Sequence, residues 1–316
     1  MNALVQPPEL TAGRTVTECP ACGGAQFVAV GGTVPAFDSP TAGRTIRQPA
    51  FSIRCCAGCG LYFKSNTLSP AELDDYYTRP EYDAYEHDGN SPTDRILHDV
   101  FERLPAGRKI LDFGCNTGSI VKELTRHHEC FGVEINAAAA AIARARGIRI
   151  ITEDNVRAGE QRDFDAIILA DVYEHLSQPF ELVTMLVKAL KLGGWLAIAT
   201  GNADAVRTRD RMGEFWYFGS PGHLLMMSER HVKWLADRLG VQIKELYRCS
   251  HCDVPFGQRT KQYIQSFAYH QFHRNPRGLI STVLRLVPVI QRAEHWPNAP
   301  ALTCTADHFV AIFEKR

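Results

Sequence analysis

Residues 110–118 read ILDFGCNTG, and this stretch decides the fold. A run of buried-strand residues ends in an acid, Asp112, and Gly114 and Gly118 bracket a tight turn that leads into a helical pattern. Glycine lets the backbone come close to a ligand, and the following helix start offers unpaired N–H groups. Twenty-two residues beyond Asp112 a second strand pattern ends in Glu134, placed to accept hydrogen bonds from ribose hydroxyls, with Ile135 next to it. Working outward, the strand patterns are 109–113, 130–134, 148–152, 164–170 and 195–200. They alternate with the helical patterns SIVKELTRHH, NAAAAAIARARG and PFELVTMLVKALKLGG. A sixth strand is expected at 241–249 and a last one within 304–315, with a mainly helical insert between them over about 250–300. Apolar strands alternating with helices predict a doubly wound, mostly parallel seven-stranded α/β sheet covered on both faces.

The glycines do not follow GxGxxG, which argues against a nicotinamide-binding site. The pattern resembles instead the first motif of the class I, Rossmann-like S-adenosylmethionine-dependent methyltransferases, with Asn116 in place of the middle glycine. On the sequence alone only the outer glycines need unusual backbone freedom. The resemblance extends over about residues 80–245, through the fourth-strand motif 165-DAIILADVYEHLSQP-179. It implies S-adenosylmethionine as cofactor. Asp112, Gly114, Cys115, Asn116 and Gly118 would hold its methionine end, and Glu134 and Ile135 its ribose. Asp154, Asn155 and Ala170 would flank the adenine, and Tyr85 (or Tyr82) would close over the cofactor as a lid.

Upstream, Cys19-Pro-Ala-Cys22 and Cys56-Ala-Gly-Cys59 form two CxxC pairs. Four thiolates in two such turns suit tetrahedral Zn2+ with no open position, hence a structural zinc ribbon. Cys249-Ser-His-Cys252 lacks a partner pair and reads as packing or a loop. The expected organisation is a zinc module over 1–65, a helical connector or lid over 66–105, and the Rossmann-like domain over 106–316. Ser69 should cap a helix that begins at Pro70.

For catalysis, His223 in 214-EFWYFGSPGHLLMMS-228 is the first candidate base, with His175 and Tyr217 behind it. Residues 1–60 carry four Arg and no Lys against three acids, a poor footprint for nucleic acid. The reading therefore expects a small-molecule acceptor, a sugar or secondary-metabolite intermediate. The alternatives are a zinc-containing RNA methyltransferase and a non-catalytic cofactor-binding protein. No apolar run reaches eighteen residues and no secretory pattern opens the chain, so a cytoplasmic protein without a membrane partner, monomeric or homodimeric, is expected.

Overall fold

The computed structural model describes residues 13–41, 44–78, 90–206, 209–296, 300 and 305–316. Tyr85 and Tyr82, the two candidates for the lid, lie outside the described residues. The central sheet has seven strands: β1 (Lys109–Phe113), β2 (Glu129–Val133), β3 (Arg149–Ile151), β4 (Phe164–Ala170), β5 (Leu190–Gly201), β6 (Val241–Cys249) and β7 (His308–Lys315). Their order is β3-β2-β1-β4-β5-β7-β6. The first five run parallel, while β7 is antiparallel to both β5 and β6.

Alternating side chains feed two cores. On one face Leu111, Phe131, Ile167, Leu169 and Ile198 pack against the helices Pro179–Ala189 and Glu229–Leu239. On the other, Ile110, Cys130, Ala166, Ile168 and Ala197 pack against Leu97, Val100 and Phe101 of the helix Pro92–Phe101. This double coverage explains why the strands read as continuous apolar runs. Strand order reverses between β1 and β4, so the carboxyl ends of those strands frame the crevice where open α/β sheets bind ligands.

Two local expectations need correction. Residues 119–128 do not form a regular helix; they wind as turns with one 3-10 turn, Leu124–Arg126. The β-branched Ile120 and Val121 disfavour helix there, and the Thr125 hydroxyl takes the Lys122 carbonyl at 2.7 Å. The helix Pro179–Ala189 stops before the expected Gly193–Gly194, and β5 starts at Leu190 instead of Trp195. The connector helix Pro70–Thr78 begins as expected, with Ser69 and Glu72 bonding reciprocally at its start.

The N-terminal strands form a second sheet from Phe27–Val34, Phe51–Cys56 and Tyr62–Lys64, completed by Leu225–Met226. Leu225 pairs with Phe63 and Met226 with Tyr62. Phe51, Ile53 and Tyr62 also share a core with Met212, Tyr217 and Phe218. The module expected over 1–65 thus shares both sheet and core with the segment after β5.

Candidate active site and four-cysteine centre

Asp112 is the last but one residue of β1, paired across the sheet with Gly132 of β2 and Ile168 of β4. Its carboxylate is 1% exposed, and Oδ2 has no hydrogen-bond partner among the described residues. Burial, and then the neighbouring Glu134 charge, push its pKa up to about 7. A buried carboxylate with an open acceptor position is a receptor for a cation.

The turn that follows meets the backbone demands read from the sequence, with one addition. Gly118 has φ +76°, and a Cβ there would lie 2.0 Å from Ile148 Cδ1; the same construction at Gly114 meets Val172 Cγ2 at 2.4 Å. Asn116 is also left-handed, at φ 47°, so the expectation that only the outer glycines need such freedom is corrected. Asparagine is one of the few side chains that tolerate this region, which accounts for its standing in place of a glycine.

Glu134, one residue past β2, accepts from Asn116 N at 2.9 Å and Asn136 N at 2.7 Å, and so clamps the turn to the second strand. Ile135 beside it is 61% exposed, an apolar surface for a planar ligand. Cys115 is buried in the second core, so it faces the crevice only through its backbone. Asp154 lies exposed in the first turn of the helix Glu153–Arg157. Asn155 closes that helix's capping box with Thr152, and its amide bonds Glu160 at 2.8 Å. Ala170 ends β4 opposite Ala199 of β5.

The three candidate catalytic residues come together beyond β4 and β5. His223 is partly buried, and its Nδ1 lies 2.8 Å from the Tyr217 carbonyl oxygen. A carbonyl only accepts, so Nδ1 carries the proton and Nε2 keeps its lone pair. Burial, then the His175 and Lys64 charges, hold the His223 pKa well below the ordinary histidine value, so the ring is neutral at physiological pH. His175 Nδ1 bonds the Gly222 carbonyl at 2.9 Å and the Tyr77 hydroxyl at 2.6 Å. Tyr217 is 1% exposed; its hydroxyl accepts from Gly201 N at 3.1 Å, and burial pushes its pKa well above the ordinary value. Its place is that of a support under His223, whose ring centroid is 4.3 Å from its own.

Three residues that the sequence reading passed over complete this cluster. Glu174 is buried, accepts from the Thr200 hydroxyl at 2.8 Å, and has its pKa raised by burial. One ligand atom each of Glu174, His175 and His223 lies within 4.8 Å of the others. Lys64, fully buried, donates to the Ser220 carbonyl at 2.8 Å, three residues before His223; burial lowers its pKa to about 7. His308, buried at the start of β7, continues the row of rings at 5.8 Å from Tyr217. Burial opposes its protonation, but the Asp307 carboxylate 3.2 Å from Nδ1 holds its pKa above the ordinary value.

The four expected cysteines converge. Cys19 and Cys59 Sγ are 3.4 Å apart, Cys22 and Cys56 Sγ 3.5 Å, and all four sulfurs lie within 4.8 Å of one another. The Cys59 thiol bonded to Cys19 draws the Cys19 pKa down to about 5. Crowded thiolates without a counter-charge fit a tetrahedral divalent cation, and these four residues would hold Zn2+. Cys249 packs toward the His308 carbonyl and Cys252 is exposed; neither belongs to a metal-spaced group among the described residues.

The second knuckle is gripped by the start of the helix Glu229–Leu239. Ser228 Oγ donates to Gly60 O at 2.7 Å, and Arg230 reaches the carbonyls of Ala57 and Gly58. Buried His231 donates from Nδ1 to Cys59 O at 3.3 Å and accepts the Tyr173 hydroxyl on Nε2 at 2.7 Å. Burial lowers its pKa to about 3. The unfolded imidazole takes up a proton near 6.5 and the folded one near 3, so this residue's contribution to stability is lost as pH falls through that window. His231→Phe leaves a buried hydroxyl and a carbonyl unpaired, an expected loss of about 2–4 kcal/mol in urea unfolding; a loss under about 0.5 kcal/mol would show that the two bonds are not made.

With this geometry established, known proteins supply the family. The profile described as a methyltransferase domain matches residues 85–246, just over half of the chain, and the chain belongs to that family. Its sheet is that of the class I, Rossmann-like S-adenosylmethionine-dependent methyltransferases. The ubiquinone biosynthesis O-methyltransferase of Alkalilimnicola ehrlichii is 29% identical over 107 residues, covering 31% of this chain and 43% of that protein. The tRNA (carboxymethyluridine(34)-5-O)-methyltransferase of Arabidopsis thaliana is 29% identical over 166 residues, covering 50% of this chain and 40% of that protein. The chain therefore spans less than half the length of these two relatives. A chain of the Haloferax volcanii complex between the Trm112 methyltransferase activator and a methyltransferase shares the fold. It is 14% identical with a TM-score of 0.50, and the match covers 77% of this chain and 97% of that one.

Proposed function

We propose that the chain transfers a methyl group from S-adenosylmethionine to an oxygen of a small-molecule acceptor. The observation that carries this reading is the buried, unpartnered Asp112 carboxylate at the end of β1, beside a turn in which Gly114, Asn116 and Gly118 are all left-handed. Asp112 would hold the cationic methionine end, the turn would let the backbone close on it, and Glu134 would take the ribose hydroxyls with its remaining lone pairs. Ile135 and Ala170 would bound the adenine, with Asp154 and the Asn155 backbone at its rim. When bound, the sulfonium supplies an activated methyl group that needs no metal. The protein's part is to align the acceptor and remove its proton.

His223 is the proposed base: neutral, its Nε2 lone pair available, and its ring fixed by the Tyr217 carbonyl. His175, whose ring centroid is 4.9 Å from that of His223, packs beside it, and Glu174 lies in the same cluster. An oxygen acceptor is supported by the two curated relatives, whose names both specify O-methylation. Within that class, a sugar or secondary-metabolite hydroxyl is the reading that the weakly charged N-terminal residues favour over nucleic acid. The Arabidopsis relative is the observation that favours an RNA acceptor, and transfer RNA belongs in the acceptor screen for that reason.

His223→Ala is expected to lower kcat by about 100- to 10,000-fold while S-adenosylhomocysteine affinity stays within about twofold. Unchanged kcat would move the base elsewhere. The pH profile divides in the same way. The acid limb of kcat should fall below pH 6.5, where His223 protonates. For kcat/KM of the cofactor it should lie near pH 7, where free Asp112 protonates.

A further inference from the structure

The helical insert between β6 and β7 carries an exposed apolar surface that has no part in the proposed reaction. It consists of the helices Phe256–Arg274, Leu279–Leu284 and Pro288–Gln291, packed on a small core of Ala268, Tyr269, Phe272 and Ala293. Fourteen large apolar side chains of the described residues are exposed, and ten of them lie between 256 and 289. Phe256 is 86% exposed, Leu279 81% and Leu286 78%. On the long helix, Phe256, Tyr263, Ile264 and Phe267 recur at positions seven, eight and eleven apart, so they form one stripe. Ala268, Tyr269 and Phe272 form the opposite, buried stripe.

The charge within this stretch has one sign, with Asp253, paired to Arg95, just before it. Residues 254–293 contain six Lys or Arg and no Asp or Glu. Arg285 is taken by Glu294, which lies just outside the stretch, at 2.6 Å. Arg259, Arg274, Arg277 and Arg292 are exposed in the same stretch, and Arg259 lies about 60° round the long helix from Phe256; Lys261, also exposed, lies on the side of the buried stripe. Among the described residues no helix is long and apolar enough to cross a membrane.

We propose that this face docks on a bilayer surface bearing anionic headgroups, lying in the interface without spanning it. The apolar tips enter the headgroup boundary and the guanidinium groups meet the anionic lipids, which is the chemistry of interfacial amphipathic helices. A second copy of the chain is the poorer occupant, because pairing the face with itself would set cations against cations. Sequence alone suggested no membrane partner, since it shows neither which apolar residues stay exposed nor where the cations lie. The inference is independent of the methyl-transfer reading.

Co-sedimentation of the full, zinc-loaded chain with large unilamellar vesicles tests it. Vesicles of phosphatidylcholine with about 30% phosphatidylglycerol should bind the protein at least tenfold more strongly than phosphatidylcholine alone, and about 0.5 M NaCl should release it. Phe256→Ser with Leu286→Ser should reduce binding at least tenfold, as should Arg259→Glu with Arg277→Glu. These side chains are exposed, so the variants should keep the wild-type thermal midpoint, which separates loss of docking from loss of fold. Three results would overturn the proposal: no vesicle binding, equal binding to both vesicle types, or sedimentation as a dimer that Phe256→Ser dissociates. The last would assign the face to a second copy.

Discussion

Asp112→Asn should lower affinity for S-adenosylhomocysteine by about 100-fold and leave the ligand-free protein at least as stable as wild type at pH 8. Both effects follow from one carboxylate. It is buried with an open acceptor position, and burial raises its pKa to about 7. A charge-assisted bond to a ligand ammonium contributes about 1.5–3 kcal/mol, and the amide cannot reproduce it. In the free protein, the folded state holds its proton up to about pH 7, whereas the unfolded chain loses it near 3.8. The folded state therefore binds more protons between those values, and the contribution of Asp112 to stability declines as pH rises through that window. The amide carries no such penalty. Thermal unfolding with and without ligand at pH 6 and pH 8 reads both effects. A variant that loses stability yet keeps ligand affinity would show that Asp112 is a structural group.

Loss of the four-cysteine centre should be the most damaging single change. Cys19, Cys56 and Cys59 lie in the main core with Leu61, Phe63, Tyr173 and Val232, continuous with Leu111 and Ile167 of the central sheet. Without a cation, four sulfurs within 4.8 Å, three of them on buried cysteines, must share protons. Cys59→Ala is expected to abolish stoichiometric zinc and lower the thermal midpoint by at least about 10 °C, equivalent to several kcal/mol for a chain of this size. Cys55→Ser and Cys252→Ser should keep one zinc per chain and the wild-type midpoint, since neither belongs to the cluster. Zinc retained at full occupancy in Cys59→Ala would contradict the assignment. The consequence should extend to catalysis, because Cys59 O, His231 and Tyr173 form a bonded path to the residue before Glu174.

What could be read from the sequence was what short-range pattern encodes. Strands 109–113, 164–170 and 241–249 have the expected bounds, and both CxxC pairs meet. Asp112 and Glu134 stand at the ends of adjacent strands because strand length and glycine spacing are local properties. The acceptor end was only partly legible. His175, His223 and Tyr217 have motif neighbours, but Lys64 reaches Ser220 across 156 positions and Tyr77 reaches His175 across 98. No periodicity marks such partners. Met226 pairing with Tyr62 is likewise set by tertiary packing, and it merges the expected zinc module with the loop that carries His223. Over 256–267 only a helical insert could be read, because amphipathic spacing does not say which apolar side is covered.

The central claim is tested most directly by titrating S-adenosylhomocysteine into the zinc-loaded chain in a calorimeter at pH 8, with Glu134→Ala as control. One site of about micromolar affinity is expected, weakened at least tenfold in the variant. Folded, zinc-loaded protein that gives no heat, or that binds equally well without the Glu134 carboxylate, would contradict it.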